Sequence, residues 1–214
     1  MIKLCTFLIF LLLVVTTTML FVTQNRITGS SIISESQSEG KALIGGDFTL
    51  INQDGRTVRD KDLRGRVMLV YFGFTHCPDI CPITAATFGK TLELLGDKAS
   101  GVAPIFITID PKRDTPEVLK EYFSNIDTRI IGLTGTQEQI KQVAAAYKAY
   151  LAKSKTENTH MEHMEHEHEH EDGEYSMDHS GFIYVMDKNG AYIQNFPYDA
   201  DAHEIASAVS KLLE

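Results

Sequence analysis

No basic patch occurs in these 214 residues, where 29 acids outnumber 20 bases and the isoelectric point lies near 5.4. Nucleic acid is therefore not an expected partner, since a phosphate backbone is held by clustered cations. A glycine-rich loop ending in lysine is absent, as is a Ser/His/Asp signature, and with them the two commonest routes to phosphate binding and acyl transfer. Cysteine is scarce: only Cys5, Cys77 and Cys81 occur. A closed structural zinc site normally takes four protein ligands, and no third cysteine lies outside the apolar N-terminus. No internal repeat is visible.

Charge is also missing from residues 4–22, a run of 19 residues preceded by Lys3 and followed by Arg26. Such a run is long enough to span a bilayer as a helix. It exceeds a usual signal-peptide core of roughly 7–15 residues, and no small-x-small cleavage site follows in Val22-Thr23-Gln24-Asn25. The expectation is an uncleaved anchor over residues 1–23, with Lys3 on the cytoplasmic side and the large domain across the membrane. A single short anchor without an Arg-rich transit peptide favours a bacterial inner membrane, single-pass, with the soluble domain in the periplasm. Cys5 sits inside the run, too early for lipid attachment, and reads as a packing residue. A Ser- and Gly-rich linker over residues 24–41 leaves residues 42–214, enough for one domain with a substantial core.

Within that domain apolar runs alternate with amphipathic stretches. Residues 48–51 and 57–58 flank Asp54-Gly55 as a hairpin, while residues 67–74 and 103–110 read as strands buried on both faces. Residues 84–97 read as a helix. Thr115 as N-cap with Pro116 at the first helical position opens another, to about Phe123. Residues 129–133 form a short strand, and Ile140, Val143, Ala144 and Tyr147 recur at helical spacing within residues 136–151. Strands at 182–186 and 192–196 flank the turn DKNG at 187–190, and residues 201–213 close as a helix. This order predicts an α/β thioredoxin-like fold with an additional N-terminal β-hairpin.

Directly after the first buried strand comes Cys77-Pro78-Asp79-Ile80-Cys81-Pro82. Strand ends facing a helix N-terminus are where open α/β sheets place their chemistry. Pro82 disfavours a helical Cys81 and suits a first helical position, so the helix is expected to start at Pro82 with both sulfurs in the preceding loop. The helix N-terminus lowers a cysteine pKa, and the thiolate is the form that attacks disulfides or binds soft metals. Three residues separate the thiols, against two in thioredoxin-type oxidoreductases. Redox pair, metal clamp and structural disulfide all remain open on spacing alone.

Residues 156–178 hold His160, Met161, His163, Met164, His166, His168, His170 and Met177 with nine acids and no Lys or Arg. Outside this segment acids and bases balance at 20 each, so the formal charge of −9 belongs to one stretch. It cannot bury enough apolar surface to fold alone and reads as a mobile loop. Imidazole with thioether suits copper in both oxidation states, and imidazole with carboxylate also accepts Zn²⁺ or Ni²⁺. Asp178-His179-Ser180 then leads into the strand at 182–186, whose preceding loop approaches the end where the cysteines sit. Two thiolates and one imidazole make a three-coordinate site for Cu(I), and with a fourth ligand for Cu(II).

Three motifs in this order, GFTHCPDICP at 73–82, ITIDPKRDTPE at 107–117 and Asp178-His179-Ser180, behind one apolar anchor, resemble the Sco/SenC family over residues 42–214. The resemblance implies a membrane-anchored, thioredoxin-like copper chaperone that assists assembly of the CuA centre of cytochrome c oxidase. It makes Cys77, Cys81 and His179 the copper ligands, the CuA-bearing oxidase subunit the partner, and a copper donor protein and a thiol reductant further partners. Some family members act as thiol-disulfide reductants; that role would make Cys77 and Cys81 a redox-active pair, so the expected class is chaperone, with oxidoreductase activity the rival. Copper buffering or sensing uses the same ligands. Two features depart from the family pattern. Pro82-Ile83-Thr84 stands where relatives commonly carry an acid, and the His/Met/Glu segment is not usual. The latter reads as a secondary copper reservoir. Asp110 and Asp114 serve either as outer partners of the ligands or as caps paired with Arg113, His76 reads as pointing away from the cysteines, and His203 as facing solvent.

Overall fold

The computed structural model describes residues 15, 16, 18, 19, 43–154, 176–179 and 181–214. The expected anchor falls almost wholly outside the described residues, as do Cys5 and the histidines of the acidic segment. Among the described residues no helix is long and apolar enough to cross a membrane.

From Leu43 onward the chain alternates strands and helices: β1 (Thr49–Asn52), β2 (Thr57–Arg59), β3 (Val67–Gly73), α1 (Ile80–Leu95), β4 (Val102–Thr108), α2 (Pro116–Ser124), β5 (Ile131–Thr134), α3 (Gln137–Ala146), β6 (Leu151–Ser154), β7 (Ser176–His179), β8 (Phe182–Met186), β9 (Tyr192–Pro197) and α4 (Ala202–Leu213). Seven strands form one mixed sheet in the order β2-β1-β5-β4-β3-β8-β9. Its centre, β3, β4 and β5, is parallel, and each edge is an antiparallel hairpin. β3 and β4 are buried at every residue, as a central parallel strand covered on both faces must be. This is the α/β order expected from the sequence.

Alternation along β3 separates two aromatic layers. Tyr71 lies across from Phe106 in register, and Phe106 meets Phe123 of α2 edge-on at 5.2 Å. Phe72, on the opposite face, packs edge-on against Tyr147 at 5.5 Å and Tyr184 at 6.1 Å. Such T-shaped pairs add about 0.5–1.5 kcal/mol each beyond area burial. Both layers pin β3, and β3 delivers the cysteine loop.

Several boundaries differ from expectation for identifiable reasons. The helix after the cysteine loop begins at Ile80, with Asp79 as N-cap, and not at Pro82. Proline at the third helical position removes an N–H that has no intrahelical partner, and no earlier turn supplies a carbonyl for its ring to strike. Cys81 therefore lies in the first helical turn. Helix α3 ends at Ala146, short of residue 151: Lys148 adopts a left-handed conformation (φ 57), and the Ala149 N–H donates to the Ala144 carbonyl, a Schellman closure. The α2 start follows the sequence, with Thr115 accepting from the Val118 N–H. Ser176, Met177 and Asp178, read as part of a mobile loop, belong to strand β7, which pairs antiparallel with β6. Backbone pairing with Ala152, Lys153 and Ser154 thus brings into a strand three residues whose composition alone argued against it.

Candidate metal centre

Strand β3 ends at Gly73, a position where nothing larger fits. A Cβ at Gly73 would lie 2.8 Å from Cys81 Sγ and 2.8 Å from the Phe106 ring, closer than packed atoms allow. The chain turns as the Cys77 N–H donates to the Phe74 carbonyl at 3.2 Å, and the Ile109 N–H donates to the Gly73 carbonyl at 2.8 Å, fastening the end of β4 to the same turn.

Cys77 and Cys81 are not joined by a disulfide, and they occupy unlike surroundings: Cys77 is half-buried and Cys81 has no exposed surface. The Cys81 thiol beside it holds the Cys77 pKa down to about 5, and the backbone N–H groups of Asp79, Cys81 and Ile80 act in the same direction against the cost of burial. No side chain caps α1, so its first N–H groups remain for the sulfur. The same pairing with Cys77, reinforced by burial, pushes the Cys81 thiol up. Tyr71 Oη lies 3.7 Å from Cys81 Sγ. The pair is therefore one accessible thiolate and one buried thiol at neutral pH.

The DPKRD stretch at 110–114 folds as a tight unit beneath this loop. Arg113 Nε pairs with Asp110 Oδ2, and the Arg113 guanidinium stands over the Phe74 ring at 5.9 Å. Asp114, with no exposed surface, accepts from the Thr75 N–H at 3.0 Å, from Thr75 Oγ1 at 2.6 Å and from Thr108 Oγ1 at 2.6 Å. Of the two roles open for these acids, Asp110 takes the pairing with Arg113 and Asp114 braces the cysteine loop. His76 is half exposed and directs Nδ1 toward Thr75 Oγ1. His203 is exposed on α4.

His179 is placed by backbone register. It pairs with Leu151 at the end of β7, and three residues later β8 runs antiparallel to β3 with Ile183 opposite Tyr71. Three residues after His179, β8 thus joins the sheet at the end of β3 that carries Cys77. The His179 side chain lies outside the described residues, and among the described residues no group of three or more His, Cys, Asp or Glu is arranged to hold a metal. Gly73, Thr75 and Thr108 lie within the motifs at 73–82 and 107–117 but were given no role of their own from sequence, and Tyr71 lies outside them. Gly73, closing an apolar run four residues before a cysteine, was the one signal available.

The SCO1/SenC family model matches residues 36–214. A SCO2-like protein of Rickettsia prowazekii is 44% identical over 167 residues, covering 78% of this chain and 76% of the relative. The structure of Bradyrhizobium japonicum ScoI with copper bound superposes with a TM-score of 0.68 at 37% identity, covering 79% of this chain and 99% of that one. BsSco, a member of the Sco family of cytochrome c oxidase assembly proteins in which a disulfide switch was identified, superposes with a TM-score of 0.59 at 25% identity, covering 80% and 94%. With the cysteine loop, the DPKRD brace and the Asp-His-Ser approach all inside the matched region, the chain belongs to the SCO1/SenC family.

Proposed function

We propose that the chain is a membrane-anchored copper metallochaperone: Cu(I) is bound by Cys77, Cys81 and His179 and passed by ligand exchange to the CuA-bearing subunit of cytochrome c oxidase. The observation that carries this reading is the unlike thiol pair. A preformed thiolate at Cys77 offers a soft first ligand without prior deprotonation, and Cys81, in the first turn of α1, supplies the second as metal displaces its proton. Copper bound to ScoI and the oxidase-assembly role of BsSco's family support the cargo and the acceptor. Ligand exchange keeps copper from release as a free ion. The uncharged run at residues 4–22 serves as the anchor, holding the domain on the periplasmic face of a bacterial inner membrane; retention of the chain in membranes after alkaline carbonate extraction checks this.

Anaerobic titration of the reduced whole chain against a competing Cu(I) chelator is expected to show one tight equivalent and release of about one proton per Cu(I), from Cys81. The Cys77→Ser/Cys81→Ser variant is expected to weaken that equivalent by at least about a thousandfold, ~4 kcal/mol. Tight binding that survives the double substitution would overturn the assignment. The segment 156–178 contributes a weaker reservoir in this reading, so further equivalents are expected to disappear when His160, His163, His166, His168 and His170 become Ala. An unchanged stoichiometry would remove the reservoir.

The same asymmetry favours a second reading, a thiol-disulfide reductase in which Cys77 attacks a partner disulfide and Cys81 resolves the mixed disulfide. The partner's two sulfurs gain two electrons and the Cys77–Cys81 disulfide forms, to be reset by a dithiol reductant. The readings differ at His179. His179→Ala is expected to cut copper transfer by about tenfold or more while leaving dithiol exchange with a model disulfide unchanged. Equal loss of both activities would contradict that division.

A further inference from the structure

His76, next to Cys77, carries a hydrogen-bond chain that fixes which of its nitrogens bears the proton. Asp114 is buried and accepts at both oxygens, so the single hydroxyl proton of Thr75 is committed to Asp114 Oδ1 at 2.6 Å. Against His76 Nδ1, at 3.1 Å, Thr75 Oγ1 has only a lone pair to offer. Nδ1 must therefore carry the hydrogen and donate it, with the Asp114 carboxylate 3.7 Å behind. In the neutral ring the lone pair then belongs to Nε2, the outer nitrogen of a side chain that is 52% exposed, and Nε2 forms no hydrogen bond among the described residues. A carboxylate holding one imidazole nitrogen through its N–H, directly or by one bridging group, is the arrangement that prepares the other nitrogen for a metal.

We propose that His76 Nε2 is a capture ligand for Cu(I) on its way to and from Cys77, distinct from the set that holds the ion at rest. The inference rests on the copper reading above. During capture a Cu–N bond forms at Nε2 as a ligand of the donor leaves, and a Cu–S bond to Cys77 then replaces it. Copper keeps its oxidation state throughout, and no proton must leave Nε2 because the Thr75–Asp114 chain has already placed it on Nδ1. Thr75 and Asp114 are positioning residues in this step.

The test uses the whole chain, reduced and anaerobic, with two readouts. Stopped-flow transfer of Cu(I) to bicinchoninate is expected to slow about tenfold in His76→Gln, a barrier rise of ~1.4 kcal/mol, while equilibrium Cu(I) affinity stays within about threefold, ~0.7 kcal/mol. Thr75→Val keeps the ring but releases its tautomer, and is expected to give an intermediate rate. Imidazole ¹⁵N spectra, assigned by loss of the signal in His76→Gln, are expected to show protonated Nδ1 in the metal-free wild type and a mixture in Thr75→Val. In Cys77→Ser/Cys81→Ser, added Cu(I) is expected to shift the Nε2 resonance. A wild-type transfer rate in His76→Gln with an unmoved Nε2 resonance overturns the proposal, as does an affinity that falls in step with the rate, which makes His76 a resting ligand. A wild type that binds no tight Cu(I) overturns the copper reading itself, and this inference with it.

Discussion

Alkylation of Cys77 by iodoacetamide is expected to hold most of its plateau rate down to about pH 6, where an ordinary cysteine is almost wholly protonated. A pKa of about 5 leaves Cys77 roughly nine-tenths thiolate at about pH 6, against less than about one part in a hundred for a thiol of pKa ~8.5. The plateau itself is lower than for a free thiolate, because nucleophilicity falls with basicity. Cys81, buried and held protonated, is expected to stay unmodified. The largest cause of the low value is the Cys81 thiol, so Cys81→Ala is expected to move the inflection upward, leaving only the backbone N–H groups of α1 to depress it. An inflection in the ordinary thiol range for the wild type would show that neither influence operates.

The same shift couples to stability, and its direction follows from proton counts. Between the folded value near 5 and the unfolded thiol value, the unfolded chain binds more protons at Cys77, so the metal-free protein gains stability as pH rises through that window. The contribution is complete above the unfolded pKa and is lost as pH falls through the folded one. Cys81 acts oppositely at higher pH, where the unfolded thiol ionises and the folded one does not. The difference in urea midpoint between wild type and Cys77→Ser, followed below the ordinary thiol range, where Cys81 is protonated in both the folded and the unfolded chain, isolates the Cys77 part.

Asp114→Ala is expected to cost about 3–5 kcal/mol, the range for removing one partner from a buried charged network. Three donors, the Thr75 N–H, Thr75 Oγ1 and Thr108 Oγ1, lose their acceptor; the Thr108 hydroxyl is buried and Thr75 partly so, and each buried orphan carries about 1–3 kcal/mol before hydroxyl rotation and solvent recover part. Against a typical domain stability of roughly 5–15 kcal/mol the loss is severe. Asp114→Asn keeps one acceptor oxygen but turns an amide donor toward the other donors, so an intermediate loss is expected. Urea denaturation gives both values, and a loss below about 1 kcal/mol would mean the cluster does not brace the loop.

Much of this arrangement was legible in the chain. Buried runs predicted β3 and β4, Thr115-Pro116 marked the start of α2, and the cysteine spacing after a buried strand located the chemistry. The start of α1 was misread because the restriction proline imposes on its predecessor was allowed to outweigh the freedom of a first helical turn. The brace was beyond a local reading. Thr75 and Asp114 stand 39 residues apart, and nothing in either neighbourhood marks one as the other's partner until β3 and β4 are laid side by side. The β6–β7 pair was hidden for a different reason: four-residue strands bordering a strongly acidic stretch carry too little apolar alternation to announce themselves.

That small second sheet has an architectural consequence. By closing Leu151 against His179, it makes the position of His179 independent of how many residues, and which, the chain spends between the two strands. Lengthening such an excursion costs only about 0.6 kcal/mol per doubling. The number and kind of residues between Ser154 and Ser176 can therefore change while His179 keeps its backbone partner, Leu151.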